Sequence, residues 1–130
     1  MYIKNIPGKG RGVYASKTIK KGVLIEACEL LVIPKKELPF IKKTVLDEYY
    51  FEWSGGRAAI PLGYGALYNH SFSPCADFFY DEKNAKIRFV AIRPIKKGEE
   101  IVVNYNGDPK DQSKSLVWFP VIDQGVKKKK

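Results

Sequence analysis

The sequence of 130 residues is poor in the residue types that build metal sites and disulfide frameworks. It has one histidine, His70, and two cysteines, Cys28 and Cys75, which lie far apart and in no metal-ligand spacing. We therefore expect no bound metal. So few cysteines favour a reducing, intracellular setting, although one disulfide between the two is also compatible with the sequence.

Long apolar runs and arginines are also scarce. No run is long enough to span a membrane, and the start, Met-Tyr-Ile-Lys-Asn, lacks the apolar core of a signal peptide. We therefore expect a soluble protein that does not bind membranes. The net charge of +9 comes from 19 lysines and only four arginines. Positive charge favours acidic partners, but base readout and bidentate phosphate contacts favour arginine, so we do not expect specific nucleic-acid binding.

The residues that are present suffice for one folded domain. Hydrophobic residues make up 45% of the chain and 17 residues are aromatic, which argues against disorder. Short apolar and β-branched segments between glycines and prolines predict a mostly β domain with short helices. The predicted strands are residues 13–15, 23–33 and 101–103, with a hairpin over residues 78–92. Residues 34–46 have irregular helical spacing, and Pro39 is expected to break this segment.

The segment Ile-Lys-Lys-Gly occurs twice, at residues 19–22 and 95–98, and an apolar strand follows each time. We predict two equivalent tight turns with glycine at the last position, and no repeat architecture. Residues 1–122 are predicted to form the single domain, with the apolar segment 116–122 folded back onto it. Residues 123–130 end in four lysines and are expected to be a disordered basic tail.

Two short stretches carry candidate chemistry. Gly8, Gly10 and Gly12 have neither the Rossmann nor the Walker spacing, so they form either a flexible turn or a loop whose bare backbone approaches a ligand. His70, within Asn69-His70-Ser71, is either a catalytic base or a residue that shapes a pocket. Glu99 and Glu100 are adjacent, so on a strand they would face opposite ways and would not form a catalytic carboxylate pair.

Three motifs in order resemble those of the SET-domain protein lysine methyltransferases. They are Gly-Arg-Gly-Val-Tyr-Ala at residues 10–15, Asn-His-Ser-Phe-Ser-Pro at residues 69–74 and Gly-Glu-Glu-Ile-Val-Val-Asn-Tyr at residues 98–105. Residues 48–51 and 62–68 also look like the middle of that family. The resemblance covers about residues 2 to 119 and is greatest to the small stand-alone, viral-type SET proteins.

The resemblance implies a fold of several short sheets with short helices and a knot-like C-terminal crossing, an exception to the usual rule against knots. It also implies S-adenosylmethionine as cofactor and a role for each matched residue. The implied cofactor-binding residues are Lys9, Gly10, Arg11, Asn69, His70, Tyr105 and Trp118. Tyr105 is the implied catalytic residue, and Tyr49, Tyr68 and Val103 are the implied walls of the channel for the substrate lysine. His70 is then a pocket-forming residue that acts largely through its main chain.

The match has departures. Cys75 replaces the asparagine that the family places after the proline of its second motif, and the cysteine-rich zinc segment of many relatives is absent. Trp118 or Phe119 is the candidate to close the cofactor site, and both are equally consistent with ordinary core packing.

The resemblance implies a partner with a lysine-bearing tail, such as a histone or another basic chromatin protein, and a nuclear location if chromatin is the substrate. A homodimer is compatible with the sequence. Val103 lies where many relatives have Phe or Tyr, which predicts di- or trimethylation. Two alternatives stay open at this point: a catalytically silent SET-fold module that binds peptides, and a basic nucleic-acid-binding β-barrel.

Overall fold

The structure, a computed structural model, describes residues 1–8 and 10–113. Lys9 and residues 114–130 lie outside the described residues, and with them Trp118, Phe119 and the predicted basic tail. Within the described ranges the strands are β1 (Tyr2–Ile6), β2 (Gly10–Tyr14), β3 (Leu24–Ile33), β4 (Phe51–Trp53), β5 (Arg57–Pro61), β6 (Asn69–His70), β7 (Ala76–Asp81), β8 (Lys86–Ala91) and β9 (Val102–Val103).

The strands form three sheets, which confirms the prediction of a mostly β fold of several short sheets. β1 and β2 form an antiparallel hairpin, β4-β5-β3-β8-β7 is the strand order of the central sheet, and β6 pairs with β9 in parallel. The long strand β3 joins two halves of the central sheet, because its end pairs with β5 and its beginning pairs with β8. The predicted hairpin is also confirmed, with Phe78 opposite Phe89 in the β7–β8 ladder.

The central sheet curls until its two outer strands face each other through aromatic side chains. Phe51 on β4 packs edge-to-face on Phe78 of β7, and Trp53 packs in the same way on Tyr80, each with ring centroids 5.3 Å apart. We call the two pairs Phe51–Phe78 and Trp53–Tyr80 the aromatic seam. Edge-to-face packing of this kind stabilises an aromatic pair by about 0.5–1.5 kcal/mol beyond the burial of its area.

The two Ile-Lys-Lys-Gly segments form tight turns, as predicted, and they also pair with each other. The backbone N–H of Ile19 donates to the carbonyl of Ile95, and the N–H of Ile95 donates back to Ile19, both at 2.8 Å. The final glycines, Gly22 and Gly98, have φ of 86° and 85°. That left-handed conformation favours glycine, which has no Cβ to clash.

The short helical segments lie between β3 and β5, and the predicted break at Pro39 is wrong. A 3-10 turn at Lys35–Glu37 leads directly into α1 (Leu38–Ile41), and Pro39 lies in the first turn of α1. Proline is tolerated there because the first turn of a helix does not use that N–H in an internal bond. Further 3-10 turns follow at Val45–Glu48 and Ser54–Gly56. Within the described ranges, every helix is too short or too polar to cross a membrane.

Candidate active site

The parallel pair of β6 and β9 brings the second and third sequence motifs side by side. Asn69 lies opposite Val102 and His70 opposite Val103, and the N–H of Ser71 donates to the carbonyl of Val103 at 2.9 Å. The first motif joins them, since the N–H of Ile101 donates to the carbonyl of Val13 at 2.8 Å. Three segments that are distant in sequence therefore meet at one place in the fold, which is the contact that the predicted crossing requires.

The side chain of Asn69 ties the three motifs together. Asn69 is 1% exposed, and its Nδ2 donates to the Arg11 carbonyl and to Oε2 of Glu100, both at 2.8 Å. Gly12 lies against the same group: a Cβ there would be 2.5 Å from Oε2 of Glu100. The glycine of the first motif is therefore needed to leave room for the Glu100 carboxylate.

Glu100 is a buried carboxylate, and the sequence did not predict its burial. It also accepts a hydrogen bond from the Tyr14 hydroxyl at 3.4 Å, whereas Glu99 turns outward and pairs with Arg93 at 2.8 Å. The two adjacent glutamates thus face different ways, as predicted. Burial raises the pKa of Tyr14, and the neighbouring Glu100 raises it further.

Both the backbone N–H and the side-chain hydroxyl of Tyr105 form hydrogen bonds. Its backbone N–H donates to Nδ1 of His70 at 3.0 Å, and its hydroxyl donates to the carbonyl of Tyr68 at 2.7 Å. The His70 ring is buried and packs edge-to-face on Phe72, with centroids 4.4 Å apart. Because Nδ1 accepts a backbone hydrogen bond, the proton of the neutral ring lies on Nε2. Nδ1 is therefore committed to the backbone and is not available as a base.

Tyr68 and Val103, two of the predicted channel residues, are buried in the core. The Tyr68 hydroxyl donates to Oε1 of Glu26 at 2.7 Å, and its ring packs on Phe89 with centroids 4.6 Å apart. Burial raises the pKa of Tyr68, and the Glu26 carboxylate raises it further. Only the carbonyl of Tyr68 reaches Tyr105. Val103 packs in the hydrophobic core beside His70.

Glu26 is a partly buried carboxylate that the sequence did not point to. Its Oε2 accepts the N–H of Tyr64 at 2.9 Å, so it fixes the loop that leads into β6. β3 contains two glutamates, Glu26 and Glu29, and the sequence does not distinguish Glu26 from the exposed Glu29 that pairs with Lys86.

Tyr49, the remaining predicted channel residue, lies beside the first motif. Its hydroxyl accepts a hydrogen bond from the Arg11 guanidinium at 3.2 Å. Both residues line a mostly apolar hollow of about 320 Å³ whose other walls are Val45, Leu46, Ile60, Ala66 and Leu67. The structure thus places Tyr49 with Arg11, away from the Tyr105 side chain.

A separate hollow opens at Tyr105. It has a volume of about 360 Å³ and is lined by Glu52, Phe78, Phe79, Tyr80, Tyr105, Asn106 and Gly107. The hollow lies along the aromatic seam, so it takes walls from both outer strands of the central sheet. Within the described ranges, no three His, Cys, Asp or Glu side chains are placed to hold a metal ion.

Comparison with known proteins agrees with the geometry. The SET domain family matches residues 10–106. A curated Schizosaccharomyces pombe protein named "Histone-lysine N-methyltransferase, H3 lysine-37 specific" is 35% identical over 104 residues, which are 79% of this chain and 71% of that protein.

Two solved structures are similar as well. One, from Plasmodium falciparum and provisionally named a histone methyltransferase, has a TM-score of 0.66 and 32% identity over 82% of this chain and 97% of its own. CpSET8 from Cryptosporidium has a TM-score of 0.62 and 28% identity. The match covers 82% of this chain and 56% of that one. The chain belongs to the SET-domain family of protein-lysine methyltransferases.

Proposed function

We propose that this chain transfers methyl groups from S-adenosylmethionine to a lysine in a histone-like, basic protein tail. The observation that carries the proposal is the junction at Asn69, where one amide group binds both the Arg11 carbonyl and the Glu100 carboxylate. That junction holds the glycine-rich first motif next to the segment, residues 98–105, that contains β9 and ends at Tyr105. A cofactor-binding turn and a catalytic tyrosine are thereby assigned to one site.

The residues around Arg11 fit the cofactor that SET methyltransferases generally use. Gly10 and Arg11 are exposed residues, and the Arg11 guanidinium offers a cation to a carboxylate such as the one at the methionine end. The hollow beside Arg11 and Tyr49 is mostly apolar, which suits a flat ring. We assign Lys9, Gly10, Arg11, Asn69, His70 and Tyr105 to this site, and Trp118 to its closure.

Tyr105 is the residue that we propose to touch the reacting atoms. Its hydroxyl is fixed by the Tyr68 carbonyl, so its oxygen is aimed before any substrate arrives. When bound, S-adenosylmethionine supplies an electrophilic methyl group. The contribution of the protein is alignment of the amine, which accelerates a direct displacement without any acid or base of unusual strength.

The target lysine must lose its proton, because only the neutral amine is nucleophilic and free lysine has a pKa of about 10.4. Phe78, Phe79 and Tyr80 line the hollow at Tyr105, and a lysine side chain that enters it displaces water from these rings. Exclusion of water disfavours the charged ammonium and so lowers the pKa of the lysine. His70 takes no part in that step, since its Nδ1 accepts the backbone N–H of Tyr105.

The substrate class is proposed from the relatives. The Schizosaccharomyces pombe relative is named for a lysine of histone H3, and the Plasmodium falciparum neighbour is provisionally named for histones. A histone substrate would place this protein in the nucleus. We propose a protein partner with a lysine-bearing tail, and not specific nucleic acid.

Calorimetric titration with S-adenosylmethionine, followed by labelling of a histone panel, tests the proposal. We expect saturable cofactor binding and label in at least one histone. Binding without label on any basic protein would favour the silent peptide-binding module. Salt-sensitive DNA binding without cofactor binding would favour the nucleic-acid-binding alternative.

A further inference from the structure

Glu52 lies where two surface hollows meet. It lines the hollow of about 360 Å³ at Tyr105 and also a hollow of about 390 Å³ whose walls include Lys42, Tyr50 and Arg57. Its neighbours on β4, Phe51 and Trp53, are buried, and side chains alternate along a strand. The Glu52 carboxylate therefore points outward, at the border of the two hollows.

On the side of Glu52 that faces the Tyr105 hollow the surroundings are aromatic, and the cations Lys42 and Arg57 line only the other hollow. Phe79 and Tyr80, on the opposite side of the Tyr105 hollow, are 51% and 44% exposed. Burial raises the pKa of Tyr80 to about 12, with further contributions from Glu52 and Glu82, so both carboxylates act on this ring. Glu82 is engaged by the Ser54 hydroxyl at 3.0 Å, whereas Glu52 forms no salt bridge with another described residue.

The charge of the whole protein makes this location significant. A chain with a net charge of +9 repels a basic peptide at long range. The Glu52 carboxylate at the Tyr105 hollow instead attracts a cationic group at short range. Carboxylates beside exposed aromatic faces suit a guanidinium or ammonium group, which can pair with one and stack on the other.

We infer that Glu52 is a specificity-determining residue that binds a cationic side chain, arginine or lysine, next to the target lysine of the substrate. The inference rests on the proposed function, because it requires the target lysine to enter at Tyr105. Glu52 selects among lysines by the charge of their neighbours and takes no part in methyl transfer itself.

Peptide pairs test the inference. Each pair contains one target lysine and differs at one neighbouring position, where one peptide has arginine and the other its neutral isostere citrulline. We expect the wild type to show a lower KM for the arginine peptide at one such position, by about two- to fivefold, which is typical of an exposed ion pair. Glu52→Gln should remove that difference in KM between the two peptides. Glu52→Lys should show a lower KM for a peptide with glutamate at that position than for the arginine peptide.

Glu29→Gln is the matched control. It removes the same charge from the same sheet, at an exposed residue that pairs with Lys86 and lines neither hollow. The arginine preference should survive in this variant. Equal losses in Glu29→Gln and Glu52→Gln would overturn the inference in favour of a general charge effect, and so would an unchanged preference in Glu52→Gln. A wild type that methylates no peptide would instead refute the proposed function.

Discussion

At the scale of single residues, Tyr105 combines two separable contacts. Its ring packs against His70 with centroids 5.2 Å apart, while its hydroxyl binds the Tyr68 carbonyl. The ring contributes to the core and the hydroxyl orients the site. A substitution that removes only the hydroxyl therefore distinguishes packing from chemistry.

We predict that Tyr105→Phe keeps the fold and cofactor affinity but loses most methyl transfer. The change should lower the free energy of unfolding by about 1–3 kcal/mol, because the ring still packs but the buried Tyr68 carbonyl loses this donor. Steady-state assays, calorimetry and thermal melting check the three parts. Tyr2→Phe, at an exposed tyrosine of the N-terminal hairpin, is the control and should behave as the wild type. Wild-type turnover in Tyr105→Phe would remove Tyr105 from the catalytic role.

We predict that Asn69→Ala both destabilises the protein and weakens S-adenosylmethionine binding. The change leaves the Arg11 carbonyl and the buried Glu100 carboxylate without the amide, at a cost of about 1–3 kcal/mol. Urea denaturation and calorimetry measure the two effects. Asn5→Ala, an exposed change on β1, should alter neither. A variant with unchanged stability and unchanged affinity would show that the junction at Asn69 does not shape the site.

We predict that the product is di- or trimethyl-lysine, because Val103 has no hydroxyl to hold a water in the space that a second methyl needs. Three nearby tyrosines are engaged elsewhere, whereas Tyr80 lines the hollow at Tyr105. Tyr49 binds Arg11, Tyr64 donates to the Met1 carbonyl and Tyr68 donates to Glu26. Mass spectrometry of a peptide at long reaction times, with a monomethylated peptide as control substrate, gives the answer. A reaction that stops at one methyl would place a tyrosine hydroxyl at the amine after all.

At the scale of elements, the paired Ile-Lys-Lys-Gly turns give a comparison within one molecule. A Cβ added at Gly22 or Gly98 meets no atom within 4 Å, so the cost of alanine there is the left-handed backbone alone. We predict that Gly22→Ala and Gly98→Ala each lower the free energy of unfolding by about 1–2 kcal/mol. Chemical denaturation measures both.

Gly12→Ala is the contrasting variant for these turns. Its φ is not left-handed, but its Cβ would collide with the buried Glu100 carboxylate, so it should cost more than either turn variant. If the turn variants were as stable as the wild type, the two glycines would not be required by their backbone conformation.

The elements also show which parts of the fold and site could be predicted from sequence. β3, the β7–β8 hairpin and the glycine turns follow local rules of strand and turn composition, so they were predicted correctly. The burial of Glu100 and the contact of Glu26 with Tyr68 depend on segments far apart in sequence, and no local pattern encodes them. The error at Pro39 is a local one. A proline in the sequence is compatible both with the first turn of a helix and with a break in its interior.

At the scale of the whole molecule, both cysteines report on global unfolding. Cys28 and Cys75 are buried and free. Burial raises the pKa of Cys28 to about 12, and burial also raises that of Cys75. The thiolate is the reactive form. Both thiols are therefore unreactive for two reasons: a reagent does not reach them, and they remain protonated.

We predict that a thiol reagent labels neither cysteine in the native protein at pH 8 and both in strong denaturant. The native state holds the Cys28 proton more tightly than the unfolded chain, whose thiol has a pKa near 9.0. Its contribution to stability is therefore complete below pH 9 and declines as the pH rises toward about 12. Labelling followed by mass spectrometry tests the first statement, and chemical denaturation at increasing pH tests the second. Rapid labelling of native Cys28 at pH 8 would contradict the burial of that thiol.

The first and third motifs can pair only after the chain between them has been synthesised. Residues of β2 and the segment after it pair with residues 98–101, and Tyr14 and Glu100 are 86 positions apart. A ribosome that adds about 5–20 residues per second needs about 4 to 17 seconds to cover that separation. During that time the newly made hairpin of β1 and β2 has an unpaired outer edge, which is a template for pairing with another chain. The site at Asn69 cannot assemble until nearly all of the described chain has been synthesised.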